Sequence, residues 1–74
     1  MSKIELTERE ESVLKKFALN KELASNRVSF NIGTYTKTEI AEMLEISRPT
    51  LDVRIKENTW RMAELKLIVR KLPY

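Results

Sequence analysis

Apolar residues recur along this chain at three- and four-residue spacings in several short stretches, with polar residues between them. That is the pattern of amphipathic helices packed around one core. Thr7-Glu8-Arg9-Glu10 opens the first stretch as a capping box: the Thr hydroxyl accepts from an unpaired N–H of the first turn, and the Glu carboxylate reaches back to the cap. A helix is therefore expected from Glu8, with Leu6 before the cap and Val13, Leu14 and Phe17 on one face. Ala18 and Leu19 rotate the stripe away from that face and Asn20 is a stop signal, yet Lys21-Glu22-Leu23-Ala24-Ser25 can carry a helix onward. The pattern allows one bent helix or two.

Residues 27–33, Arg-Val-Ser-Phe-Asn-Ile-Gly, alternate apolar and polar with period two, the one strand-like signal in the chain. The favoured expectation is an extended linker whose Val28, Phe30 and Ile32 fold under the domain. The other is a short strand pairing with a second subunit or with another strand. Gly33, the only glycine, marks the bend that follows.

The segment 36–56, T-K-T-E-I-A-E-M-L-E-I-S-R-P-T-L-D-V-R-I-K, predicts two short helices joined by a tight turn. Thr36 and Glu39 form a second capping box; Ile40, Met43 and Leu44 share one face, and Ala41 is small enough to let a neighbouring helix cross closely. The first helix should end near Leu44. Ser47 is an N-cap for the next, and Pro49 fits its first turn, where a missing N–H does no harm; deep in a continuous helix it would cost about 3 kcal/mol. Leu51 and Ile55 then face inward, with Arg48, Pro49, Asp52, Val53 and Lys56 outward. Asn58-Thr59 ends this helix, and Trp60 in the following loop is expected to anchor the core. A closing helix over about 61–72 packs Leu65, Ile68, Val69 and Leu72 along a face that begins at Met62. Leu67 and Ala63 fall on the opposite side, among Lys66, Arg70 and Lys71. The expected fold is mainly α: one compact helical bundle, residues 1–74, with a helix-turn-helix over about 36–57.

The segment 36–56 resembles the helix-turn-helix of the lambda Cro and repressor class, found in small phage and prophage regulators. The resemblance rests on the buried Ala at Ala41, hydrophobic positions at Ile40, Leu44, Ile46, Leu51 and Ile55, and the cap at Ser47. I-S-R-P-T-L also looks like recognition-helix openings in resolvases and TetR-type repressors, and N-T-W-R-M-A-E-L-K-L-I-V-R-K-L is similar to the closing helix of phage repressors. Roughly half the chain is covered. Two positions depart from the pattern. Glu45 stands where the family usually has Gly in the turn, and Arg54 where relatives bury a small or apolar residue; a snorkelling Arg54 would lay its methylenes on the core and aim its guanidinium at a phosphate.

A chain of 74 residues is close to the lower limit for a core that holds without a metal or disulfide. It has no Cys and no His, which removes thiol nucleophiles, Cys/His zinc sites and imidazole acid–base chemistry, so no enzyme, metal or cofactor is expected. No apolar run approaches the roughly 20 residues that cross a bilayer, and M-S-K-I-E-L lacks a signal-peptide core; a soluble, cytoplasmic protein with no membrane or small-molecule partner is the expectation. The net charge is only +3, but it is unevenly spread. Residues 1–26 carry five basic and five acidic side chains, 27–45 two and three, and 46–74 seven and three, so the excess begins at the second helix of the pair.

The resemblance implies a sequence-specific double-stranded DNA-binding protein, a repressor-like transcriptional regulator of phage or mobile-element type, with no catalytic residues. The alternative is a protein-interaction module, such as an antirepressor or DNA-packaging adaptor, that uses the same fold. Base contacts are expected from Arg48 (guanine O6/N7), Pro49 (shape), Asp52 (accepting from cytosine N4, or equally repelling phosphate or orienting Arg48) and Val53 (a thymine methyl). Backbone contacts are expected from Thr36, Lys37, Ser47, Thr50, Arg54 and Lys56. A homodimer is expected on DNA, paired through the far side of the last helix around Ala63 and Leu67 or, second, through Val28-Phe30-Ile32.

Overall fold

Side-chain caps at Thr7, Asn20, Thr36 and Ser47 fix where four helices of this chain begin. A computed structural model describes residues 6–72 as five helices: α1 (Glu8–Leu19), α2 (Lys21–Asn31), α3 (Lys37–Met43), α4 (Arg48–Glu57) and α5 (Met62–Lys71). Residues 1–5 and 73–74, the ends of the expected domain, lie outside the described residues, as does nearly all of the leading segment read for a signal peptide. Both capping boxes form: Thr7 accepts from the N–H of Glu10 and Thr36 from that of Glu39, and each Glu accepts from the N–H of its Thr at 2.9–3.0 Å. Among the described residues no helix is long and apolar enough to cross a membrane.

α1 and α2 are two helices, and Asn20 is the hinge between them. It caps the end of α1 in extended backbone, its N–H donating to the carbonyl of Lys16, while its side chain accepts from the N–H of Glu22 to start α2. α2 corrects the expectation of an extended or strand-like segment at 27–33. Its inward positions are Ala24, Ser25, Val28 and Asn31, at helical spacing. Two of these are polar, so the hydrophobic pattern that remains visible, Val28-Phe30-Ile32, only imitates a strand; Phe30 in fact points outward and is 66% exposed. The buried Ser25 and Asn31 side chains are hydrogen-bonded. Trp60 Nε1 donates to Ser25 Oγ at 2.8 Å, Ser25 in turn donates to Asn58 Oδ1, and Asn31 Nδ2 donates to the carbonyl of Arg27. Gly33 lies in the turn after α2 without a positive φ and with open space around its Cα, so the bend there does not depend on glycine.

α5 is the spine of the core, packed against α1 and α2, while α2 also packs on α4, and α4 on α3. Because it is covered from two sides, its buried arc is wider than one stripe, roughly 200° at 100° per residue. It runs from Leu67 through Ile68 and Leu65 to Val69. This corrects the placement of Leu67, which is 7% exposed and belongs to the subunit's own core, leaving no free Leu67 for a dimer contact. Met62, expected to begin the inward face, is instead exposed. Trp60 is fully buried, the core anchor that its position after α4 predicted.

Glu10 ties the start of α1 to α5. Its carboxylate accepts from the N–H of Thr7 and lies 3.4 Å from Arg70 Nη1. The hydrogen bond to Thr7 and the nearby Arg70 charge outweigh the effect of burial and hold its pKa below the ordinary value. A carboxylate with a depressed folded pKa contributes stability above its unfolded pKa and loses it as pH falls through the folded one. The stability difference between wild type and Glu10→Gln is therefore expected to shrink between about pH 5 and about pH 3. Denaturant melts across that range measure it, and a difference that stays constant refutes the assignment.

Candidate nucleic-acid interface

α3 and α4 are joined by a turn whose hydrogen bonding explains its geometry. Leu44 caps the end of α3, and Glu45 takes the left-handed conformation, φ 58°. The N–H of Ile46 donates to the carbonyl of Ala41 at 3.0 Å and that of Glu45 to the carbonyl of Glu42 at 3.1 Å, the paired bonds of a Schellman motif. Ile46 then folds back onto the core. So Glu45 occupies the backbone conformation for which glycine is favoured, and the turn keeps that shape despite the side chain. Glu45→Gly is expected to raise stability by up to about 1 kcal/mol, since the left-handed region strains a residue with a Cβ. Urea denaturation reads the change, and a loss of stability would mean that chain flexibility outweighs relief of strain.

Ser47 restarts the chain as a helix. Its hydroxyl accepts from the N–H of Thr50 and lies 2.8 Å from the Thr50 hydroxyl, and Pro49 sits in the first turn. Leu51 is fully buried and Ile55 partly so, which turns Arg48, Pro49, Asp52, Val53 and Lys56 outward together. All four expected base-reading residues thus share one exposed face. Arg48, Asp52 and Lys56 form a stripe at i, i+4, i+8, with Pro49 and Val53 beside it.

The expected backbone-holding residues divide. Thr36 and Ser47 are exposed at the starts of α3 and α4, with their hydroxyls engaged as caps; Thr50 is half-buried beside Ser47, and Lys56 is exposed. Lys37 reaches across from α3, its Nζ 3.2 Å from Asp52 Oδ1. Arg54 is not on this face. Its guanidinium turns toward α5, where Nε donates to Glu64 Oε1 at 2.9 Å and Nη1 to Thr59 Oγ1 at 3.4 Å. The same Glu64 oxygen accepts from the N–H of Arg61, the residue preceding α5. Arg54 and Glu64 are 16% and 8% exposed, a nearly buried ion pair that fixes α4 against α5 rather than an outward cation.

The Arg54–Glu64 pair and the Trp60–Ser25–Asn58 chain both support the outward face from behind. Their sequence signals were present: Glu64 stands three residues after Arg61, a capping-box spacing, and Asn58 is a residue that tolerates the left-handed cap it adopts at φ 55°.

Charge also sets α4 apart. α1, α2, α3 and α5 each carry acidic residues in the first turn, where the helix dipole favours them, whereas α4 carries none and begins with Arg48. The cation there opposes the dipole. No family model, curated protein or solved structure matches the chain.

Proposed function

We propose that the chain is a sequence-specific double-stranded DNA-binding protein, a small transcriptional regulator in which α4 is the recognition helix and α3 lies across the backbone. The observation that carries this reading is the exposed face of α4. Two long cations, one carboxylate, one proline and one valine are held outward, while Leu51 and the Arg54–Glu64 pair clamp the opposite side. Such a rigid convex helix suits the major groove, where Arg48 meets guanine O6/N7 and Val53 a thymine methyl. Lys56, with the N-terminal ends of α3 and α4, meets phosphates. The acid-free first turn of α4 supports the same reading, because an acidic side chain there would repel the duplex.

The described residues extend at most 30 Å, less than the roughly 34 Å of one duplex turn. Two copies on a two-fold repeat are part of this proposal, because one domain this small reads only a few base pairs. A repressor acts by occupying such a site.

Selection from random duplexes, followed by titration of the enriched sequence at low and moderate salt, tests the proposal. The expected result is a short enriched motif whose affinity falls steeply with salt. No enrichment, together with salt-insensitive retention of a protein partner, would replace DNA binding with the interaction-module reading.

A further inference from the structure

Asp52 is the one acidic residue on the stripe it shares with Arg48 and Lys56, and it pairs with neither of them among the described residues. Its partner is Lys37 at the start of α3, 3.2 Å away, with the two side chains 41% and 50% exposed. The pair therefore bridges the two helices across the face that α4 presents, and leaves Arg48 and Lys56 exposed and outside the ion pairs among the described residues.

An ion pair placed there has two states once a polyanion approaches. A carboxylate turned toward a duplex is repelled by phosphate, and Lys37 neutralises it as long as the pair is closed. Lys37 can satisfy Asp52 or a phosphate, and its reach allows either. It is released to the backbone only when Asp52 finds another donor. In the major groove that donor is a base amino group, above all cytosine N4, because guanine and thymine edges offer acceptors alone.

We propose that the Lys37–Asp52 pair is a specificity switch: it stays closed on non-cognate DNA and opens on a site that presents a base amino group to Asp52, adding one phosphate contact only there. The proposal rests on DNA binding by α4 and deepens it, naming Asp52 as a discriminating residue and Lys37 as a conditional phosphate contact. Asp52 then acts mainly by rejection. On the wrong base the carboxylate keeps its lysine, and the complex forfeits a backbone contact.

The salt dependence of binding counts released counterions, with a slope of about 0.9 per phosphate neutralised. The wild-type protein is expected to show a slope about one unit steeper on its selected site than on a scrambled duplex, beyond any difference that remains in Lys37→Met. Asp52→Asn frees Lys37 on every sequence. Its slope on scrambled DNA should rise by about one unit and its affinity there roughly tenfold at low salt, with discrimination lost at one C·G or A·T position of the selected site. Lys37→Met should lower the slope more on the selected site than on scrambled DNA, where it only bares the Asp52 carboxylate that the closed pair had neutralised. Equal slopes for wild type and Asp52→Asn on scrambled DNA, or an equal loss on both duplexes in Lys37→Met, would overturn the switch while leaving DNA binding intact. Absence of salt-dependent binding by the wild-type protein would overturn the DNA-binding proposal itself. Both positions are exposed, so unchanged circular dichroism is expected in each variant.

Discussion

Glu64→Ala is expected to lower the free energy of unfolding by about 3 kcal/mol. One carboxylate oxygen of Glu64 accepts from Arg54 Nε at 2.9 Å and from the N–H of Arg61 at 3.0 Å, and the residue is buried. Truncation strands a guanidinium that is only 16% exposed and leaves the first turn of α5 without a cap. Breaking a buried pair from one side typically costs about 3–5 kcal/mol; partial access of Arg54 to water puts this site at the low end. A domain of this length loses about 4–8 °C of melting temperature per kcal/mol, so a fall of roughly 15 °C should accompany the change. Glu64→Gln keeps an acceptor for both donors and loses only the charge, and should cost less. Replacing both partners, Arg54→Met with Glu64→Leu, removes the stranded charge and should also be milder than Glu64→Ala alone. A loss under about 0.5 kcal/mol for Glu64→Ala would show that the pair is solvated in solution.

That pair marks the limit of what spacing alone could say about the site. Local chemistry was legible. Thr36 with Glu39 and Thr7 with Glu10, three residues apart, and Ser47 with Pro49, two apart, each announce a helix start, and all three starts occur where the residues put them. The outward set of α4 was legible too, because Leu51 and Ile55 fix the rotation of a short helix. Long-range satisfaction was not. α2 hides because Ser25 and Asn31 are buried polar residues, and a pattern of apolar positions cannot count a serine whose hydroxyl is matched to an indole 35 positions away. Arg54 looks like a snorkelling cation in the sequence for the same reason: its partner lies on another helix, and no local rule pairs residues ten apart. A single apolar stripe would turn Leu67 outward, whereas α5 is flanked by both α1 and α2. Glu45 departs from a glycine pattern, and its φ of 58° places a residue with a Cβ in the left-handed turn that glycine favours.

Arg48→Ala is expected to weaken binding to the selected duplex by about 1–3 kcal/mol and to scrambled duplexes by less. Arg48 is the first residue of α4, exposed, and in no ion pair among the described residues. Ser47 and Pro49 on either side hold its backbone rigidly, so little ordering remains when the guanidinium docks. Loss of fold cannot be the cause of such a result. A cation at a helix N-terminus is mildly unfavourable, and its removal should leave stability unchanged or raise it by a few tenths of a kcal/mol. Arg48→Lys separates charge from geometry. Lysine keeps the attraction to phosphate but lacks the planar fork that meets guanine O6 and N7 together, so affinity for scrambled DNA should survive while preference at one G·C position falls. Lys56→Ala gives the opposite profile, weakening both duplexes alike and reducing the salt slope by about one unit. Titrations of the three variants on both duplexes at two salt concentrations distinguish these roles. If Arg48→Ala loses equally on selected and scrambled DNA, Arg48 holds the backbone, and base reading must pass to Asp52 and Val53.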